Sequence, residues 1–275
     1  MPLVAITREM GSLGKDVASG LSEALGVPLV YHEVIDHLAD RMRVRKSHVI
    51  RLLDGSANLL ERMSADQTSL SVFTADEIVN IALQGKGAVI RGWGATHLLR
   101  EVPHAVSVRV CAPFEVRKRR MMERVGSYDA DQVGEEIREN DEAHGAIMKR
   151  NFSVDWTAAE NYDLVLNTER MSVQACIEAI LKLVHSPAFA ENDASRQKLR
   201  DLALAWRVRA RLRSSQKTRG LRVAVTASAG CVTLAGLLDR NEQREAVNEI
   251  AGTADGVHGI DDQLRTADAL RPRHA

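Results

Sequence analysis

The chain has 275 residues, 45% hydrophobic and 27% charged, a composition that excludes a disordered or fibrous protein and, on length, points to about two domains. Lys plus Arg (37) balances Asp plus Glu (37). No apolar run reaches the roughly 18 residues of a membrane span, and Arg8 and Glu9 interrupt the N-terminal apolar run too early for a signal peptide, so a cytoplasmic location is expected.

In chain order, Leu3 to Thr7 reads as a buried strand, Arg8 to Gly14 as a loop with two glycines, and Val17, Leu21, Ala24 and Leu25 recur with helical spacing until Gly26 stops them. Pro28 leads into a short strand at Leu29 and Val30. Ala88 to Ile90, Val106 to Val110 and Leu164 to Leu166 are further strands, continuous and not alternating, as expected of strands covered on both faces. Helical patterns separate them, which predicts an α/β fold, a parallel sheet between two helical layers.

After Val184 a polar, proline-containing stretch marks a linker, and a different unit follows. It is predicted as a helix from Asp201 to about Arg213, two strands at Leu221 to Ala227 and Cys231 to Leu237 joined by a turn at Ser228, Ala229 and Gly230, a helix at Asn241 to Ala251, and a strand at Val257 to Leu264. The tail from Thr266 is expected to fray.

Charge is unevenly spread. Between Asp129 and Glu142 seven acids face one arginine, the pattern of a solvated helix face. From Arg196 to Arg222 ten basic residues stand against Asp201, a surface or a partner site. Cys111, Cys176 and Cys231 form no CxxC pair, and the histidines show no HExxH spacing, so neither a disulfide framework nor a zinc site is indicated and metal ligands stay unassigned. Aromatic residues do not interleave with the basic stretch, which argues against nucleic acid as a partner.

Gly11, Ser12, Leu13, Gly14 and Lys15 lie between a buried strand and a helix, where backbone amides and the positive end of the helix dipole can hold a phosphate. The full pattern GxxxxGK[S/T] is not met: Glu9 replaces its first glycine and Asp16 its hydroxyl residue.

Four blocks carry a resemblance. Thr7 to Asp16 is similar to SREYGSGGRE, and Val89 to Ala95 to VIVGRGA. Ala112 to Arg120 is similar to APxExRxxR, and Asp155, Trp156 and Asn161 to Thr168 to DW followed by NYDLVINT. Over residues 3 to 184 the chain therefore resembles the cytidylate-kinase-like branch of the P-loop nucleoside monophosphate kinases.

That resemblance implies a three-layer P-loop fold and transfer of the γ-phosphoryl group of ATP, with Mg2+, to a nucleoside monophosphate. It assigns the cofactor to Arg8, Gly11, Ser12, Gly14, Lys15 and Asp16, with Lys15 bridging the β and γ phosphates. Lys15, Arg117 and Arg120 are the candidate catalytic residues, the two arginines lying one helical turn apart.

Departures accompany the matches. The family lid DKRRARYYR reads here Asp141, Glu142, Ala143, His144, Gly145, Ala146, Ile147, Met148, Lys149, which leaves Lys149 and Arg150 as substitutes for lost arginines. Trp93 stands where a substrate-side arginine is expected and could stack on a base, with Arg91 two residues before it. Tyr31 and His32 replace an acid and a base, leaving Glu33 and Asp36 as the nearest carboxylates on the acceptor side.

Residues 201 to 264 resemble a BON domain, an αββαβ module. Gly230 to Gly236 matches its GxVTLxG hairpin, and Gly256, Val257 and Ile260 its GVxxV step. The resemblance implies binding to anionic phospholipid or to a protein partner, and Arg207, Arg209, Arg211 and Arg213 are the groups that could meet headgroups.

The expected organisation is a kinase-like domain over 1–186, a linker over 187–196, a BON-like domain over 197–266 and a tail over 267–275. Two functions follow: a nucleoside monophosphate kinase, or a nucleotide-binding regulatory protein that transfers weakly and acts through its BON-like module.

Overall fold

A computed structural model describes residues 1–54, 66–92, 94–126 and 128–267. The chain divides into two compact units, the first comprising 1–67 and 84–192 and the second 68–83 and 193–275.

The first unit is built on five parallel strands, β1 (Leu3–Arg8), β2 (Leu29–Val30), β3 (Ala88–Arg91), β4 (Ala105–Cys111) and β5 (Leu164–Asn167), in the order β2-β3-β1-β4-β5. β1 is central, with Leu3 beside Ala88 on one side and Ala105 on the other. Its first five residues are all buried, as its unbroken apolar sequence requires. Its helices in chain order are α1 (Gly14–Leu25), α2 (His32–Met42), α3 (Lys46–Asp54), then, after α4 (Gln67–Leu83), α5 (Ala95–Leu98), α6 (Phe114–Val125), α7 (Ala130–Phe152) and α8 (Val173–Val184). This is the predicted P-loop α/β arrangement.

The core forms where α1 and α8 lay Val17, Leu21, Cys176, Ile177 and Ile180 on Val4, Ile6, Val106, Val108 and Val110. Gly26 ends α1 in the left-handed region, its amide bonding back to Ser22 and Glu23. The acidic run forms most of α7. Asp129 caps it by accepting from the amides of Asp131 and Gln132, while Val133 and Ile137 turn inward onto Met121. The acids are therefore the solvated side of an amphipathic helix.

In the second unit, α9 (Asp193–Ser214) and α10 (Asn241–Gly252) pack on a sheet of β6 (Ala224–Ser228), β7 (Cys231–Leu238) and β8 (Gly259–Thr266). β6 and β7 are antiparallel, β7 and β8 parallel, and the turn is Ala229–Gly230, both at positive φ. The helix α9 starts eight residues before the predicted Asp201: Ser195, 1% exposed, and Leu199 continue its buried stripe, and a serine in that stripe hides it from a hydrophobicity pattern. The strand predicted from Leu221 begins at Ala224, and the last strand runs from Gly259 through Thr266. Residues 268–275 of the expected tail lie outside the described residues. No described helix is long and apolar enough to cross a membrane.

Candidate active site

The site begins where β1 ends. Glu9 follows the strand, and its amide donates to the Val110 carbonyl at 3.1 Å. Its own carbonyl accepts from the Ser12 amide at 3.2 Å and the Ser12 hydroxyl at 2.8 Å, closing a tight turn. Gly11 sits at φ +78°, and a Cβ there would lie 2.7 Å from the Arg117 carbonyl oxygen, so the position admits only glycine without displacing α6. Leu13 takes the left-handed conformation at φ 60°, and α1 starts at Gly14 with no side-chain cap.

This loop leaves groups open. Among the described residues the amides of Gly11, Leu13, Gly14 and Lys15 donate no hydrogen bond, whereas those of Ser12, Asp16 and Val17 are spent within the loop. Lys15 is exposed and makes no ion pair among the described residues. Four open amides at a helix N-terminus beside an uncommitted ammonium group suit a phosphate. No described group of three His, Cys, Asp or Glu side chains could hold a metal, and Asp16, exposed in the first turn of α1, is the carboxylate next to the loop.

Both expected arginines lie behind the loop and are engaged by the protein. Arg117, 6% exposed, donates through Nε to the Ala112 carbonyl at 3.1 Å and through Nη1 to the Met10 carbonyl at 3.4 Å. It also holds both oxygens of Asp141, at 3.2 and 2.9 Å. Arg120 donates to the hydroxyl and carbonyl of Thr168, at 3.0 and 2.8 Å. Arg8, at the end of β1, is half-buried, with its Cβ 2.6 Å from where a side chain at Gly14 would begin.

The expected acceptor-side residues fall in separate places. Arg91 is buried with its guanidinium 3.8 Å from the Tyr31 ring centroid, a cation–π stack between β3 and the start of α2. The Glu33 carboxylate accepts from the Tyr31 amide at 3.2 Å, and Asp36 pairs with Lys46 at 2.8 Å. Lys149 and Arg150 are exposed in the last turn of α7, Arg150 reaching Asn151 at 3.4 Å. Trp93 lies outside the described residues.

Several residues that motif reading did not single out connect this site. The Glu9 carboxylate takes Arg109 at 2.5 Å and the Ala112 amide at 3.1 Å, and lies 3.4 Å from Arg117 Nε. In the sequence Glu9 shows itself only as the family glutamate of the first motif block, at a position where the general P-loop pattern has glycine. His144, in the arginine-poor lid segment, lies 3.4 Å from the Thr7 hydroxyl and edge-on to Trp156, with ring centroids 4.4 Å apart. Burial, with Arg8, His97 and Arg109 nearby, lowers its pKa to about 4. A neutral imidazole therefore stands in this part of α7 at physiological pH. Trp156 is held in turn by Tyr162, whose hydroxyl donates to its carbonyl at 2.6 Å and whose pKa burial pushes up to about 12.

Comparison with known families settles the classification. The cytidylate kinase-like family matches residues 3–170, more than half of the chain. The chain belongs to the cytidylate kinase-like family. Its relatives include the cytidylate kinase of Ignicoccus hospitalis, 28% identical over 190 residues that cover 67% of this chain and 99% of that protein. The cytidylate kinase of Methanothermobacter thermautotrophicus is 28% identical over 160 residues, 58% of this chain and 90% of its own. Among solved structures, an uncharacterised protein from Eubacterium ventriosum shares the fold, with a TM-score of 0.54 at 21% identity over 68% of this chain and 99% of that one. Membership of this kinase-like family supports a phosphotransferase that uses a nucleotide.

Residues 200–268 match the BON domain. In this module the basic helix is partly spent on its own unit. Arg207 donates to the Asp255 carbonyl at 2.7 Å and to Asn80 at 3.3 Å. Arg209 donates to the Val225 carbonyl and stacks on Trp206 at 4.2 Å. Arg211, exposed, stands 3.9 Å from Asp255, whereas Arg200, Arg219 and Arg222 are exposed elsewhere on the module.

Proposed function

We propose that this kinase-like chain transfers the γ-phosphoryl group of ATP to a nucleoside monophosphate. The observation that carries the reading is the open loop: among the described residues, four amides without acceptors and an unpaired Lys15 at the start of α1, in a chain of this family. Phosphoryl transfer asks the protein mainly to align two polyanions and to neutralise charge. Gly11, Leu13, Gly14 and Lys15 would take phosphate oxygens on their amides, and the Lys15 ammonium the β and γ phosphates. Magnesium supplies further neutralisation of phosphate charge in such chemistry, and Asp16 beside the loop would hold it together with phosphate oxygens. On the acceptor side, Lys149 and Arg150 are the exposed cations that would meet a monophosphate, with Arg91, stacked on Tyr31, and Glu33 and Asp36 near the start of α2.

The test is acceptor-dependent formation of ADP from ATP with purified protein, magnesium and each nucleoside monophosphate in turn. One acceptor should stand out by at least about tenfold in kcat/KM, and equal, acceptor-independent ATP hydrolysis with all of them would sink the reading.

A second reading has its own observation. His144, neutral and packed on Trp156, occupies a lid segment in which the family carries arginines. An arginine acting on the transferring group is worth about 10³–10⁵ in rate. A chain without one would bind nucleotide, transfer slowly and report its occupancy to a partner through the BON domain. Its exposed Arg200, Arg211, Arg219 and Arg222 suit an anionic phospholipid surface or an acidic protein face. Sedimentation with anionic vesicles that falls steeply with salt would support the lipid partner, and no vesicle binding at low salt would exclude it.

A further inference from the structure

We infer that Glu9 and Thr168 are positioning residues that set the shape of the phosphate loop, and that Arg117 and Arg120 act through the loop. The inference rests on the reading of this loop as the nucleotide site.

Thr168 follows β5 and is 156 residues from the loop in sequence, yet it is 1% exposed and its hydroxyl donates to the Ser12 carbonyl at 2.8 Å. A hydroxyl has one proton and two lone pairs, so the same oxygen also accepts Arg120 Nη1 at 3.0 Å. The backbone of Thr168 is fixed as well, its amide on the Cys111 carbonyl at 2.9 Å and its carbonyl on Arg120 Nη2 at 2.8 Å. Ser12 is fully buried and passes the chain on, its hydroxyl donating to the Glu9 carbonyl. The Glu9 carboxylate then ends on Arg109 and beside Arg117.

One continuous series of hydrogen bonds thus runs Arg120, Thr168, Ser12, Glu9, Arg109, holding the loop at both ends. Because the carbonyls of Glu9 and Ser12 are consumed on this inner side, the turn is fixed while the amides of Gly11, Leu13, Gly14 and Lys15 stay without protein acceptors. Such a loop has its donors arranged before any phosphate arrives, and preorganised donors need no rearrangement on binding. Each arginine spends its terminal nitrogens on protein oxygens, Arg117 on Met10 and Asp141 and Arg120 on Thr168. Arg117 thus commits four of its five N–H donors and Arg120 two, one from each terminal nitrogen, to protein oxygens.

Thr168 offers the cleaner substitution, since removing Glu9 would leave Arg109 and Arg117 without their shared carboxylate. Thr168→Val keeps the shape and deletes the hydroxyl, and Thr168→Ser keeps the hydroxyl. Two quantities are measured on the full chain: hydrogen exchange of the loop amides without nucleotide, and affinity for ATP with magnesium, beside wild type and Lys15→Ala. Thr168→Val should speed loop exchange and weaken ATP by about tenfold, with Thr168→Ser close to wild type in both. Arg120→Lys should weaken ATP in the wild-type background and add little in the Thr168→Val background, the non-additivity expected when one residue works through the other.

Wild-type exchange and affinity in Thr168→Val would overturn the inference, as would a full additional loss from Arg120→Lys. If ATP affinity is absent or indifferent to Lys15→Ala, the nucleotide-site reading fails. The exchange data then decide the positioning role alone, faster exchange in Thr168→Val supporting it and unchanged exchange overturning it.

Discussion

Arg117 sets its two terminal nitrogens on the two carboxylate oxygens of Asp141, 24 residues away, at 3.2 and 2.9 Å. This bidentate pair joins α6, which backs the phosphate loop, to α7, which carries the lid sequence. With Met10, Ala112 and Glu9 also around it, the Arg117 guanidinium is the meeting point of loop, strand end and lid helix.

Arg117→Met should therefore lower stability by about 3–5 kcal/mol, the cost of removing one member of a buried charge network. Asp141→Asn should lower it by less, about 1–2 kcal/mol, because its carboxylate is 26% exposed and Arg117 keeps its other partners. Urea midpoints at constant m-value give both numbers, and the opposite order would make Asp141 the centre of the network.

His144 should make the fold acid-sensitive. Its folded-state pKa of about 4 lies below the ordinary 6.5, so as pH falls the unfolded chain takes the proton first. The stability gained by keeping it neutral is complete above about 6.5 and is lost as pH drops toward 4, at up to about 1.4 kcal/mol per pH unit. Burial and Arg100 lower His97 in the same direction. Melting temperature followed from pH 7 to pH 5 should fall less steeply in His144→Asn than in wild type, and parallel curves would refute the assignment.

Gly94 and Phe152 should behave as a pair. Gly94 has φ +73°, and a Cβ there would stand 2.3 Å from the Phe152 ring. Gly94→Ala should cost about 2–4 kcal/mol from left-handed strain and overpacking together. Phe152→Leu placed on top of it should return part of that loss by vacating the ring, and a double variant as unstable as the sum of both singles would show that the ring is not what Gly94 accommodates.

In the BON domain, Ala229 occupies the first position of the hairpin turn at φ 48°, where alanine is strained and asparagine is not. Ala229→Asn keeps the amide bond to Asp201 at 2.8 Å and should stabilise the chain by about 0.5–1 kcal/mol in thermal unfolding. A loss of stability would mean that the turn relaxes to another type in solution.

The parallel sheet, the loop at the end of β1 and the stop of α1 at Gly26 were all legible in the sequence, because each depends on local pattern: unbroken apolar runs, helical spacing and a terminal glycine. The four motif blocks likewise led to the family. The partners of the site residues were not legible. Arg117 and Arg120 read as a pair one helical turn apart facing the phosphates, and only folding reveals Asp141 and Thr168, 24 and 48 residues on, beside them. Glu9 matched the family glutamate and stood in place of the general P-loop glycine, but what its carboxylate holds depends on Arg109 arriving from β4. The early start of α9 escaped for a simpler reason, a serine filling a buried position usually marked by an apolar side chain.

Equilibrium titration of ATP with magnesium into wild type and Lys15→Ala tests the central claim most directly, since it asks only whether the open loop and its unpaired ammonium seat a nucleotide's phosphates. The account predicts saturable binding by wild type and a loss of about 10- to 100-fold in Lys15→Ala, the worth of a charge-assisted hydrogen bond, with melting temperature unchanged. Equal affinity in the two proteins, or none in either, would contradict it.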